Sequence, residues 1–162
     1  MNNKCLQCGG TIKMRIGSYK DKAIGLPHIT LVGVKIATCK GCGEQEVEIP
    51  RIEELHRLIA SKIVAKAGRL TGEEVRFLRK HIGWSGAALA RHFGMSPETI
   101  SRWENNKEQI GPVADRLLRI AVREKSPISS CALEDLLDAI RSDRSDPTPI
   151  RVKRVDQRWN AA

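Results

Sequence analysis

Four cysteines carry the clearest chemistry in this sequence. Cys5 and Cys8 are separated by two residues, as are Cys39 and Cys42, and thirty residues lie between the pairs. Two residues between cysteines let both thiolates of a tight turn point at one ion. Two such turns complete a tetrahedral shell of four sulfurs, which suits zinc. Each pair is followed by glycine, Gly9-Gly10 and Gly43, and glycine accepts the positive φ that such turns need. The expected cofactor is one structural Zn2+ per chain, held by Cys5, Cys8, Cys39 and Cys42. The competing assignments are two disulfides, an iron centre or a redox Cys-X-X-Cys. A redox pair belongs alone at a helix start in a βαβ unit, whereas two matched pairs here flank a strand-rich segment. Four cysteines leave a metal no open position for catalysis. A zinc deaminase would also need His-X-Glu before its cysteine pair, and the sequence has none. Cys131 has no partner motif and reads as a small buried residue. His28 lies inside the cysteine-bearing segment, where the sulfur shell is already full, and reads as a surface or packing residue.

A second constellation spans Gly86 to Asn105. Ala90 is small enough for two helices to cross closely there, and Gly94, four residues later, permits a sharp turn between them. Ile100 and Trp103 face inward with Leu89 and Phe93. The result is a bihelical unit whose second helix, 96–105, exposes its early residues, as a helix entering the major groove would. Ser96, Glu98, Thr99 and Arg102 are the exposed candidates. Arg102 can address guanine O6 and N7, and Glu98 can accept from cytosine N4. Ser85 and its following amides can hold a phosphate at a helix start, and Asn106 and Lys107 can do likewise just past the reading helix. Trp103 is core with or without DNA, and three-helix units also occur in proteins that never touch DNA. The pattern, the capping serines and the basic surroundings favour a helix-turn-helix.

The elements around these residues follow from periodicity. Residues 1–49 predict a small β-rich unit, with strands at 11–16, 29–38 and 44–49 and turns at Gly17-Ser18 and Gly25-Leu26-Pro27. Residues 50–70 predict a connecting helix with Ile52, Leu55, Ile59 and Ile63 at helical spacing and Gly68 as a stop. Residues 71–140 predict a helical domain. Thr71 with Glu74 forms a capping box, Ser85 and Ser96 cap the next two helices with Pro97 at the first position, and Gly111-Pro112 opens a fourth. Ser130 caps a fifth, carrying Leu133, Leu136, Leu137 and Ile140. Residues 141–162 are polar and non-periodic and predict a disordered tail. The fold class is α+β, a small β-rich zinc-binding module followed by an all-α helix-turn-helix domain. Residues 1–49 contain no Trp or Phe, so the metal should supply much of their folding energy. Residues 71–123, with Phe77, Trp84, Phe93 and Trp103, should build a core of their own.

Residues 71–123 resemble the Cro/repressor (Xre-type) helix-turn-helix family, on Leu89-Ala90-Arg91-His92-Phe93-Gly94-Met95-Ser96 and Thr99-Ile100-Ser101-Arg102-Trp103-Glu104. The order of Cys5-X2-Cys8-Gly9-Gly10, Cys39-X2-Cys42-Gly43-Glu44 and such a domain is similar to the MqsA-type antitoxins, over about residues 1–123. The resemblance implies an N-terminal module that holds structural zinc and sequesters a small ribonuclease toxin. It also implies a C-terminal module that dimerises, binds a palindromic operator and represses its own operon. The family's base-reading Asn and Arg fall on Glu98 and Arg102. Only Arg102 matches, so the operator should differ. Gly86 stands where many members carry a phosphate-binding Gln.

Lys and Arg outnumber Asp and Glu by 28 to 19, for a net charge of +9, and all of the excess falls before residue 124. That balance suits double-stranded DNA as partner. No segment approaches the roughly 18 apolar residues of a membrane span, no secretory signal opens the sequence, and a cytoplasmic location is expected. No nucleophile–base constellation or phosphate-binding glycine loop appears, so no enzyme is expected. The primary expectation is a homodimeric transcriptional repressor acting as antitoxin of a type II pair. The alternatives are a stand-alone regulator and a protein-sequestering module with secondary DNA binding. Leu117, Leu118, Leu133, Leu136 and Leu137 would help form the dimer interface.

Overall fold

Strand β2 (Ile29–Cys39) organises the N-terminal half of the molecule. In the computed structural model, which describes residues 4–20, 24–125, 142–145, 149–155 and 158–162, its side chains Ile29, Leu31, Val34 and Ile36 all face the core. Strict alternation would throw the last two outward. Gly33, with φ 77°, is the extra residue of a bulge opposite Gly17 and Ser18, and it resets the alternation. Strand β1 (Ile12–Tyr19) runs antiparallel along one side of β2, and β3 (Gln45–Glu48) pairs antiparallel with Lys35–Thr38 on the other. Gly17-Ser18, expected as a turn, therefore lies inside β1. A glycine can serve a bulge as readily as a turn.

Five helices follow among the described residues. Helix α1 (Ile52–Ala65) buries Leu55, Ile59, Ala60, Ile63 and Val64 along one face. It ends before Gly68, which instead lies in the short strand β4 (Gly68–Arg69). Helices α2 (Gly72–His81), α3 (Gly86–Phe93), α4 (Pro97–Glu104) and α5 (Pro112–Lys125) make the helical region. The chain then supplies β5 (Ser142–Ser145), β6 (Ile150–Val155) and β7 (Arg158–Ala161). β5 pairs with β4 in parallel. The fifth helix expected after Ser130, with Cys131, Leu133, Leu136, Leu137 and Ile140, lies outside the described residues.

The expected disordered tail is corrected by β6 and β7. β6 runs parallel to β2, pairing Ile150 with Ile29 and Leu31 with Val152, and β7 runs antiparallel to β6. Ile150, Val152 and Trp159 are buried, and the Trp159 indole N–H donates to the carbonyl of Pro50 at 3.0 Å. The segment looks polar because its outward positions are charged, Arg151, Lys153 and Arg158. The inward ones still alternate with period two.

A second correction concerns the division into self-sufficient halves. The buried apolar side chains form one cluster, running from Leu26 and β2 through α1 to Leu78, Ile100, Trp103 and Leu118. α1 packs on β6 and β7 on one side and on α2 and α5 on the other. Two buried polar networks cross the same boundary. In the first, Glu74 of α2 receives Lys66 Nζ at 2.6 Å and the Thr71 amide at 2.8 Å, and His28 Nε2 lies 3.3 Å away. Burial pushes the Glu74 carboxyl up, but His28, Lys66 and the Thr71 amide outweigh it and hold the group below its ordinary value. In the second, Arg119 donates to Asp115 on α5 and to the carbonyls of Val64, Lys66 and Gly68, while Asp115 accepts the Leu70 amide. A buried charge persists only when it is paired and hydrogen-bonded, as both of these are. Among the described residues no helix is long and apolar enough to cross a membrane.

Candidate nucleic-acid interface and metal centre

The two cysteine turns have the same backbone design. Cys5 donates its amide to the Gly10 carbonyl and accepts the Gly9 amide. Cys39 donates to the Glu44 carbonyl and accepts the Gly43 amide. Gly9 and Gly43, with φ 69° and 76°, occupy the left-handed region that closes each turn. The turns face each other because β1 and β2 pair Ile12 with Cys39. The Sγ atoms of Cys5 and Cys42 lie 3.7 Å apart and those of Cys8 and Cys39 3.4 Å apart, and all four sulfurs fall within 4.8 Å of one another. A tetrahedral ion with metal–sulfur bonds of about 2.3 Å needs sulfurs roughly 3.8 Å apart, so the four cysteines can hold a metal ion. Close glycines make room. A Cβ on Gly10 would stand 3.1 Å from Cys39 Sγ and 3.2 Å from Cys8 Sγ. The amides of Cys42 and Gly41 draw the Cys39 thiol down to about 6. The Glu44 amide pulls Cys42 the same way, but the neighbouring Cys8 and Cys39 sulfurs prevail and push it up to about 12. A cation bound by these sulfurs would need them as thiolates, so its binding would release protons.

The helical site is built by three caps. Thr71 and Glu74 form the full capping box on α2. Ser85 Oγ accepts the Ala88 amide at 3.0 Å, and Ser96 Oγ accepts the Thr99 amide at 3.2 Å, with Pro97 opening α4. Gly94, φ 64°, makes the turn between α3 and α4, and buried Leu89, Ala90, Ile100 and Trp103 lock the two helices together. This leaves Ser96, Glu98 and Arg102 exposed along one side of α4, with Thr99 half-buried beside them and Ser85 exposed at the start of α3. Arg102 is 62% exposed and stands 3.8 Å from Glu108. The Glu98 carboxyl is held low, first by its own backbone amide at the helix start, then by Ser96 and by the charge of Arg102.

Asn106 and Lys107 sit differently from each other. Asn106 adopts the left-handed region, φ 53°, accepts the Gly72 amide at 2.7 Å and donates to Glu73 at 2.8 Å. Its side chain ties the end of α4 to the start of α2. Lys107 is exposed just past α4 and its side chain is open to solvent. Glu104 likewise belongs to the scaffold, since Arg79 grips both its carboxylate oxygens at 2.5 and 3.1 Å while donating to the Trp84 carbonyl. Arg76 adds a bond to the Glu104 carbonyl.

Sequence reasoning missed the Asp115–Arg119 pair and the reach of His28 to Glu74. A signal for the first was present: Asp115 and Arg119 lie on the same stripe of α5 as Ala114, Leu118 and Val122, where a charge is unexpected. Nothing in the sequence points His28 at a helix 46 positions away.

No curated protein and no solved structure matches the chain. Residues 75–121 match the family profile described as helix-turn-helix, which spans α2 to most of α5 and includes every exposed position on α4. This part of the chain is a helix-turn-helix domain of the kind that binds double-stranded DNA, and it follows a strand-rich module with a four-cysteine cluster.

Proposed function

We propose that the protein is a homodimeric transcriptional repressor whose cysteine cluster holds one structural zinc ion. The observation that carries the reading is the contrast on α4, where Ile100 and Trp103 are buried while Ser96, Glu98 and Arg102 project from the adjacent face. In this reading Arg102 and Glu98 address bases, and Ser85 and Lys107 address phosphates. Val113 and Leu117, 75% and 43% exposed and one turn apart on α5, form the two-fold contact. Half-sites then lie about 34 Å apart or a multiple of that. The closed sulfur shell gives the ion a structural part, and the reading assigns no catalysis to the chain.

The similarity in module order to MqsA-type antitoxins extends the proposal to a toxin partner and a cytoplasmic, self-repressing operon. Leu6, Met14 and Ile16 support a protein contact there, since all three are exposed on the cysteine-bearing module. A stand-alone regulator is the second reading, favoured by the departure of Glu98 and Gly86 from the family pattern.

The test is operator selection from a random DNA pool followed by titration. Arg102→Ala should cost about 1–3 kcal/mol and relax preference at one position. Lys107→Ala should weaken all sequences similarly and flatten the salt dependence. Unchanged specific and non-specific affinity in Arg102→Ala would remove α4 as the reading helix, and a monomer on DNA by sedimentation would remove the dimer.

A further inference from the structure

A cleft runs between α1 and α2, on a different part of α2 from its capped start beside α4. It has two contiguous compartments of about 450 and 510 Å³ that share His56, Lys80 and His81. In the first compartment Ile24, Ile49, Ile52 and Phe77 stand opposite or beside the three shared basic side chains. The second is cationic, with Arg57, Lys80 and Lys125 around it and Glu53 as its one carboxylate among the described residues. Phe77 lies against two of the shared residues. His56 meets its ring edge-on at 5.7 Å and His81 stacks on it at 6.1 Å. Burial, followed by the charges of His56 and Arg57, pushes His81 below its ordinary value.

We infer that this cleft is a binding site for a small amphipathic organic anion, its apolar body against Ile24, Ile49, Ile52 and Phe77 and its anionic head among Arg57, Lys80 and Lys125. The two linings match such a molecule in a way that neither a simple phosphate nor a neutral hydrocarbon would. Most small-molecule sites combine an apolar wall with a few polar groups that fix orientation. The floor comes from both halves of the chain. Ile24 and Ile49 belong to the strand-rich module, whereas Phe77, Lys80 and His81 belong to the first helix of the DNA-binding domain. Lys125 also lies over the Trp84 ring at 5.2 Å, next to the Ser85 cap that starts α3. A bound anion would therefore touch the segments that set the two halves against each other. The site stands independently of the DNA-binding proposal.

The probe is 8-anilinonaphthalene-1-sulfonate, an amphipathic fluorescent anion, added to the full chain. Saturable binding at one site per chain is expected. Octanoate should displace the probe, and equal concentrations of 1-octanol or inorganic phosphate should not. Arg57→Glu with Lys80→Glu should weaken binding at least tenfold. Both side chains are exposed, so the fold should persist, and a thermal melt checks this. The milder Arg57→Gln should weaken binding to a smaller degree if the double variant melts early. Lys13→Glu with Arg15→Glu removes two exposed cations of β1, which does not line the cleft, and should leave binding unchanged. Loss of binding in that control, full binding in the Arg57 and Lys80 variant, or equal displacement by phosphate would each overturn the site.

Discussion

Arg119 lies fully buried one helical turn from Asp115, with its Nε 2.6 Å from the carboxylate Oδ1. Its remaining donors reach three carbonyls at the end of α1 and in β4. The pair therefore stitches the last helix of the DNA-binding domain to the chain that leads into it. Arg119→Met takes the guanidinium away from three carbonyls and from a buried carboxylate that retains only the Leu70 amide. It should cost on the order of 3–5 kcal/mol, read by urea unfolding. Arg119→Lys should recover only a minor part, because an ammonium cannot span the fork of partners that a guanidinium does. Full rescue by lysine would show that charge alone matters.

Glu74 links stability to acidity. Its folded pKa lies below the unfolded value of about 4.3. The group therefore adds stability at neutral pH, and that stability drains away as pH falls below the ordinary carboxylate range. Lys66 Nζ and His28 Nε2 are the groups that face the carboxylate, at 2.6 and 3.3 Å. Glu74→Gln should be less stable at pH 7 and show a flatter acid limb than the parent in urea titrations from pH 7 to pH 3. Parallel acid limbs would count against the ion cluster.

Metal removal should act on the whole chain. The parent should carry one metal ion per chain by elemental analysis, and Cys39→Ser should carry none. Because β2, α1 and the helical domain share one core, the stripped protein should melt earlier in a single transition. Two transitions, with the helical one unmoved, would restore the picture of independent halves.

Gly72 sets how closely α2 approaches α4. A Cβ there would collide with the Trp103 carbonyl oxygen and stand 2.8 Å from Asn106 Oδ1. Backbone cannot yield as a side chain can, so Gly72→Ala should destabilise by about 1–3 kcal/mol and displace the end of α4. Calorimetry measures the first effect. A drop in DNA affinity larger than that of an exposed change such as Glu124→Ala measures the second.

The sequence makes local signals plain and long-range ones obscure. The three serine and threonine caps, Gly94, the two cysteine turns and the inward Ile100 and Trp103 are each decided within a few residues, by hydrogen bonds or periods that the chain writes locally. The placement of 150–161 is not. Ile150, Val152 and Trp159 are too few and too interleaved with Arg and Lys to declare a core strand, and only β2, more than a hundred positions earlier, makes the pattern meaningful. Asn106 and Glu104 illustrate the same limit. Both belong to polar stretches that read as surface, yet each is spoken for by α2. The Asn106 amide, expected near a phosphate, is spent on the scaffold.

The parallel pairing of β6 with β2 has a consequence for how the protein is made. A ribosome releases Ile29–Val32 long before Ile150–Val152, so that stretch of the central strand must wait with one edge unpaired until β6 is made. Bare strand edges invite proteases and misplaced partners. The cysteine turns can close early, but Leu31, Ile59 and their neighbours gain their full cover only when Trp159 arrives. A nascent or prematurely ended chain is therefore marked as incomplete by its own exposed edge.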